Sequence, residues 1–451
     1  MNTLNKEIAG WGRYPVQRCE LVRPERHADL LSEAPSLLAR GQGRSYGDAA
    51  LNENRRVVLT ERVNRFLAFD RDQGVIRAEA GVTLAELLTL TVPRGWFPLV
   101  TPGTKHVSLG GCVAADVHGK NHHHDGAFSR SVRELELITA DGRRLCCSAR
   151  ENGEAFRATV GGMGLTGIIG EVELQLQPIE SVYIRARHQG AANLEQVFAL
   201  LQDTDNDARY SVAWLDLMSR GAGLGRGVVM NGDHAARDEL SGGRRLTPLR
   251  LAPAKVRNIP FDMPGWLLNG LSIRAFNAQY FRREGGRSGS FLVDYDTFFY
   301  PLDTLDNWNR LYGKRGFVQY QCVVPTATAL EAMQQLLQRL ADSVHPAFLG
   351  VLKRMGAAGE GYLSFPMEGY TLAMDLPMKG VATLALLDAF DAIVLQHGGR
   401  VYLAKDARLA ADSFRAMYPQ LEAWRRVRRE LDPQGVFGSS LSRRLGMGEE
   451  E

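Results

Sequence analysis

Three clusters of glycine, set between strand-like stretches, constrain this chain more than any other feature. They are GQGRSYG at 41–47, the stretch 103–119, and GGMGLTGIIG at 161–170. Glycine has no Cβ, so it lets the backbone approach a ligand closely, at an entropic cost to the fold. Loops that concentrate it are therefore loops that side chains would obstruct. Around the clusters, VVLT (57–60), FLAF (66–69) and VIRAEAG (75–81) read as strands, with a turn at Gln73-Gly74. TLAELLTLTV (83–92) reads as a helix, and VRELELITADGRRLCCSA (132–149) as a hairpin turning at Asp141-Gly142. EVELQLQ (171–177) alternates strictly, with Val172, Leu174 and Leu176 on one face and glutamates and glutamines on the other. Residues 1–180 are thus strand-rich α+β, not a run of regular βαβ units.

Later the pattern changes. VQYQCVVP (318–325) predicts a strand, and Thr328-x-x-Glu331 predicts a capping box that opens a helix running to about Asp342. FLGVLKRM (348–355) and YTLAMDLPM (370–378) predict two strands, then a helix from Val381 to His397 capped by Gly398, then a strand RVYLA at 400–404. The order is β-α-β-β-α-β, a split sheet with helices on one face. Near the end, Leu421, Trp424, Val427 and Leu431 fall at helical spacing, and Asp432-Pro433 stops that helix. A chain of 451 residues exceeds one compact core, so more than one domain is expected.

The net charge of +3 argues against a nucleic-acid partner. The five cysteines form no CxxC pair, which suits a reducing compartment and no stapling disulfides. The N-terminus MNTLNKEIAGWGRYP has no apolar core of a secretory signal, and no apolar run is long enough for a membrane span. A cytoplasmic chain is expected. Residues 241–257 are basic and broken by glycine and proline, and the apolar FDMPGWLLNGL (261–271) follows. This region is either a surface loop or a surface that meets a lipid phosphate or an anionic membrane, a peripheral contact.

What could the glycine loops hold? HGKNHHHDG (118–126) brings His118, His122, His123 and His124 together. Consecutive histidines point in different directions, and no Cys or Glu completes a ligand spacing, so no metal is expected and 122–124 read as surface histidines. GQGRSYGD lacks the GK[ST] of a phosphate-binding P-loop and reads GxGxxxG, not GxGxxG. Several separate loops of approachable N–H donors in one strand-rich domain suit one long ligand with two phosphates and ring systems, a dinucleotide.

ARGQGRSYGD (39–48), TPGTKHVSLGGCVAADVHGKNHHHDG (101–126) and GGMGLTGIIGEVELQL (161–176) resemble the FAD-binding domain of the vanillyl-alcohol oxidase/PCMH flavoprotein superfamily. Within it, GWGRYP (10–15), YSVAWLDL (210–217), QYQCVVPT (319–326), YLAKDARLAADSFRAMYP (402–419) and LDPQGVFGSSLSRRL (431–445) resemble the decaprenylphosphoryl-β-D-ribose 2'-oxidase family. The resemblance implies a two-part PCMH-type FAD-binding domain, 1–180 and 406–451, with an α+β substrate domain, 181–405, inserted between. It assigns Ala39, Arg40, Gly41, Gln42, Gly43, Arg44, Ser45, Tyr46, Gly47, Asp48 and Ala49 to the pyrophosphate. Gly103, Ser108, Leu109, Gly110, Gly111, Ala115, Asp116, Val117, His118, Ile169 and Tyr402 would contact the rest of the cofactor. Residues 39–49 contain no histidine to tether the flavin, so FAD is expected to be held without a covalent bond.

Lys405 matches the family's essential lysine, to stabilise negative charge or to take a proton. Tyr46 and His118 join it as candidates for catalysis. Gln319 and Gln321 sit two apart on one strand and share a face, which suits a polyol. Lys353 suits a phosphate or a sugar oxygen, and Trp214 and Tyr300 would wall the pocket. Where some relatives carry asparagine and cysteine, this chain has Thr371 and Ala373, a less polar wall without a thiol. The activity implied is oxidation of the 2'-hydroxyl of a polyprenyl-phosphoryl-β-D-ribose to a 2'-keto sugar, with an NAD(P)H-dependent reductase completing epimerisation to the arabinose form. Two alternatives are a flavoenzyme for a soluble alditol or aldonolactone, and a flavin- or sugar-binding protein without catalysis.

Overall fold

Leu37–Arg40 and Val16–Val22 each run parallel to Arg56–Leu59, and Leu4–Ala9 closes this sheet antiparallel. The computed structural model describes residues 3–204, 207–251, 255–265 and 269–448. A second sheet is ordered Phe66–Asp70, Val75–Glu79, Ile168–Pro178, Val132–Ile138, Arg144–Cys147, and Trp96–Pro98 pairs with the far end of Ile168–Pro178. Val172, Leu174 and Leu176 of the long strand are buried, and Glu171, Glu173 and Gln175 lie half-buried on the other face. Gln177 breaks the alternation: it is buried, and its Nε2 donates to Pro98 O and Tyr210 Oη. Thr83 and Glu86 cap the helix Leu84–Thr91 reciprocally, and Leu84, Leu87 and Leu88 turn inward.

The third sheet has eight antiparallel strands, ordered Ser290–Asp294, Tyr183–Ala191, Gly227–His234, Tyr210–Leu215, Gly350–Met355, Gly369–Pro377, Phe317–Pro325, Arg400–Val401. The β-α-β-β-α-β run supplies the last four of these; the earlier strands widen the sheet beyond it. Helices Leu194–Thr204, Ala329–Ala341 and Val381–Gln396 cover one face. The pleat sorts the two faces. Tyr320 meets Phe390 of a covering helix, and Tyr370 stacks on Phe198, while Gln319, Gln321 and Ala373 face a cavity on the opposite side.

Two local expectations are corrected. The capping box of Thr328 and Glu331 does not form: Thr328 has helical φ/ψ (−114°, 0°), and its Oγ1 donates to His397 O at the end of the neighbouring helix. The strand at 400–404 stops at Val401, because 402–406 turn back with Lys405 N and Asp406 N both donating to Tyr402 O.

The C-terminal helix Leu421–Leu431 buries Leu421, Trp424, Val427 and Leu431, and Trp424 Nε1 donates to Ala158 O at 2.9 Å. Phe437 bridges to Leu37, so the last segment packs on the two N-terminal sheets. In the 241–271 region, Leu246 and Leu271 are 79% and 78% exposed, and Phe261 is also exposed. Ala252, Pro253, Ala254, Trp266, Leu267 and Leu268 of that stretch lie outside the described residues. No described helix is long and apolar enough to cross a membrane.

Candidate active site

The first glycine loop is fixed from three directions. Trp11 N donates to Ser45 O at 2.7 Å, Tyr46 N donates to Ala404 O at 2.9 Å, and the Arg40 guanidinium donates to Ala9 O and Ala50 O. A Cβ at Gly47 would lie 1.8 Å from Asp406 O, and one at Gly41 would lie 2.1 Å from Ser108 Oγ. These close approaches press the loop against the 402–406 turn and the second glycine loop. Arg444 locks the arrangement: it donates to both oxygens of Asp48, at 2.9 and 2.8 Å, and to Asp406 at 2.8 Å. Both carboxylates are buried, and burial is opposed by these anions so that the Arg444 pKa rises.

The three glycine loops line one cavity of about 760 Å³. At Gly103 and Gly164 a Cβ would meet nothing within 4 Å, so backbone alone faces the space there. Ala39 to Tyr46, Ala49, Gly103, Ser108, Gly110, Gly111, Ala115, Val117, His118, Ile169 and Tyr402 reach its wall. The structure does not bring Gly47, Asp48, Leu109 and Asp116 there. Gly47 and Asp48 face the 402–406 turn and Arg444, Leu109 is core, and Asp116 accepts from Ser364 Oγ and Ser129 N behind the wall. A dinucleotide fits this wall of close-packed backbone.

Where the glycine loops meet the large sheet, Lys405, Tyr46, His118, Gln319, Gln321 and Lys353 converge. Lys405 Nζ lies 3.8 Å from the centre of the Tyr46 ring. Burial pulls its pKa down to about 7, helped by Lys353 and opposed by Asp375. Asp375 itself is pushed up to about 7 by burial, and it accepts from Gln319 Nε2 at 2.5 Å. His118 Nδ1 is 3.0 Å from Lys353 Nζ and its Nε2 is 3.0 Å from Gln321 Nε2. Burial and then Lys353 hold its pKa well below the usual range, so the ring is neutral. A neutral imidazole has one N–H and one lone pair. Lys353 and Gln321 therefore cannot both donate to it: an ammonium at Lys353 donating to Nδ1 leaves Nε2–H to meet the Gln321 amide through its oxygen, whereas a Gln321 N–H donating to Nε2 leaves Nδ1–H to be accepted by Lys353 as a free amine.

Trp214 lines the cavity, but Tyr300 does not; it is buried behind the wall with its hydroxyl 2.6 Å from Thr101 Oγ1. Thr371 supports the site at one remove, accepting from Gln321 Nε2 at 3.2 Å, and Ala373 lines the cavity. The reading of 122–124 as surface histidines is corrected for His122. It is buried, and its Nδ1 accepts from Gly356 N at 3.1 Å, while the His123 ring reaches Ala208 O. Arg444, Asp375 and Lys120 were not singled out by sequence. Lys120 lines the cavity two residues beyond His118, and the pattern HGK beside a glycine loop was the available signal.

The family model of an FAD binding domain matches residues 28–148, and that of D-arabinono-1,4-lactone oxidase matches residues 313–445. The chain is 36% identical over 453 residues, 98% of each chain, to the decaprenylphosphoryl-β-D-ribose oxidase of Mycolicibacterium smegmatis. It is 26% identical to an alditol oxidase from a Streptomyces species, covering 83% of this chain and 82% of that one. Among solved structures, a Physcomitrella patens BBE-like 1 variant superposes with a TM-score of 0.67 at 14% identity, covering 94% of this chain and 90% of that one, a likeness of fold.

Proposed function

Because this chain belongs to the decaprenylphosphoryl-β-D-ribose oxidase family of FAD-dependent enzymes, we propose that it oxidises the 2'-hydroxyl of a polyprenyl-phosphoryl-β-D-ribose to the 2'-keto sugar. An NAD(P)H-dependent reductase would complete epimerisation to the arabinose form. The observation that carries this reading is a single cavity with glycine backbone at one end and Lys405, Tyr46, His118 and Gln321 at the junction with the large sheet. The cofactor part comprises 1–180 and 406–451, and the substrate part 181–405.

Bound FAD supplies the two-electron acceptor. The chain's own groups position the sugar and move its proton. Lys405, with its pKa near 7, holds a free amine within the neutral range and takes the hydroxyl proton. Gln319 and Gln321 present amides to the sugar hydroxyls, and Gln321 is held in place by His118 and Thr371. Trp214 lines the same cavity farther along its wall. FAD is held without a covalent bond: both ring nitrogens of His118 are engaged, and residues 39–49 carry no histidine. Acid precipitation that leaves the yellow colour in the pellet would contradict this.

Leu246, Phe261 and Leu271, exposed along with Arg244, Arg245 and Arg250, support peripheral contact with a membrane that holds the lipid substrate. The test of the activity is anaerobic mixing of the yellow protein with farnesylphosphoryl-β-D-ribose and with soluble alditols and lactones. Bleaching by the phosphoryl ribose is the expected result. Bleaching by soluble polyols alone would favour the alditol or lactone reading that the C-terminal family match allows.

A further inference from the structure

Sugar, phosphate and lipid follow one another in the proposed substrate, and the cavity wall changes its chemistry in the same order. Lys405, Tyr46, His118 and Gln321 form the polar junction. Next comes Lys353, 3.0 Å from His118 Nδ1. Lys120 follows, lining the same cavity and close enough to feel the charge of Lys353, with its amine 4.2 Å from the centre of the Phe298 ring. Beyond them the wall turns aromatic: Trp214, Tyr280, Phe276 and Phe348 form a chain of rings with successive centroids 4.6, 6.1 and 5.4 Å apart. Phe276 is 47% exposed, so this arm opens to the outside.

Two neighbouring amines in one shielded cavity are an arrangement that folding alone disfavours. Among the described residues neither has a carboxylate partner. Lys120 donates to the Phe298 carbonyl and Lys353 contacts a neutral imidazole. By contrast, Lys105 is paired with Asp296, and Arg283 and Arg287 with Glu284. Burial lowers the Lys120 amine to about 7 and the Lys353 amine to about 8, the direction expected of cations that lack an anion.

We propose that Lys120 and Lys353 form the seat of the phosphodiester that joins sugar to lipid, one anion shared between two ammonium groups, with the aromatic arm beyond them receiving the first isoprene units. The assignment rests on the activity proposed above. It separates the wall into a reacting end and an anchoring middle. Charge-assisted hydrogen bonds from two lysines hold the non-bridging oxygens and so fix how far the sugar reaches toward Lys405.

The test uses the FAD-loaded enzyme and two non-reacting probes, farnesyl methyl phosphate and farnesyl methyl ether, titrated by calorimetry. The wild-type chain binds the phosphodiester more tightly than the ether. In Lys120→Met that preference falls by about tenfold or more, about 1.4 kcal/mol, and Lys120→Arg restores most of it. With farnesylphosphoryl-β-D-ribose, Lys120→Met raises KM far more than it lowers kcat, whereas Lys353→Met raises KM and also lowers kcat, because Lys353 also touches His118. Equal weakening of phosphodiester and ether by Lys120→Met overturns the assignment, and so does a wild-type chain with no preference for the phosphodiester, a result that needs no variant to fold. A wild-type chain that binds the phosphodiester through these lysines yet is never bleached by the phosphoryl ribose would remove the activity and leave the anion seat standing.

Discussion

At the cofactor end of the cavity, Gly47 has no space for a methyl group, Arg444 ties Asp48 to Asp406, and Tyr46 and Ala404 share a backbone hydrogen bond. At the outer end, the helix Gly270–Gly285 buries only Ile273, Asn277 and Glu284, and Leu246, Phe261 and Leu271 stand in solvent. That helix is moored by two buried polar side chains: Asn277 Nδ2 donates to Asp216 at 2.6 Å, and Glu284 meets His188 at 3.0 Å. The contrast suits the two ligands proposed for these ends. A dinucleotide of fixed shape rewards a preformed wall, because nothing has to be ordered when it binds. A polyprenyl chain has no fixed shape and is accommodated by loosely attached aromatic and aliphatic side chains.

The comparison breaks most visibly at the junction between the two ends. Lys405→Ala should keep FAD bound and slow bleaching by substrate by about a thousandfold; normal anaerobic bleaching would remove Lys405 from the chemistry. Within the cofactor end, Arg444→Met should destabilise the fold by about 3 kcal/mol, since it strands two buried carboxylates. Thermal melts and FAD content would both fall, whereas Arg283→Met on the outer helix, exposed and at the surface, should change either little. Gly47→Ala should follow Arg444→Met with loss of yellow colour, costing about 1–3 kcal/mol as overpacking against backbone. Gly103→Ala, with open space around its Cβ, should melt like the wild type.

Acidity offers a finer probe. Lys405, Lys353 and Lys120 are lowered by burial to about 7, 8 and 7. An unfolded lysine titrates near ~10.4. Between these values the unfolded chain binds more protons, so without a bound anion stability rises as pH increases from about 7 toward 10. Asp375, raised to about 7, acts in the opposite sense at lower pH, where the folded chain holds the extra proton and stability falls as pH rises from about 4 to 7. Lys120→Met should flatten the alkaline rise in melting temperature; an unchanged slope would show that Lys120 is not shielded. The smallest effect on the fold belongs to Leu271→Glu. It should leave melting within about 0.5 kcal/mol and reduce sedimentation with anionic vesicles, and undiminished sedimentation would separate this helix from the membrane.

The glycine loops were legible because their function depends on a residue type with no side chain, and clustering of that type survives in one dimension. Gln319 and Gln321 were legible for a similar reason, since strand alternation puts both on one face. Tyr300 was not, because an aromatic behind the cavity wall and one lining it look alike until Thr101 is seen to hold its hydroxyl. His122 was read as exposed because a polar triplet suggests a surface, while Gly356 supplies the N–H that makes its burial tolerable. Arg444 and Asp375 depend on partners 396 and 56 residues away, at Asp48 and Gln319, and no local pattern encodes such pairings. Thr328 shows the same limit at a helix end, where a nearby carbonyl outcompeted the local cap.

The bond from Arg444 to Asp48 also orders events during synthesis. The loop that it braces leaves the ribosome 396 residues ahead of the brace. Until residue 444 has emerged, Asp48 and Asp406 repel one another across an open seat, so a nascent chain should be colourless and prone to proteolysis at 41–48. Tight cofactor binding should then wait until residue 444 has been made and folded back onto the loop.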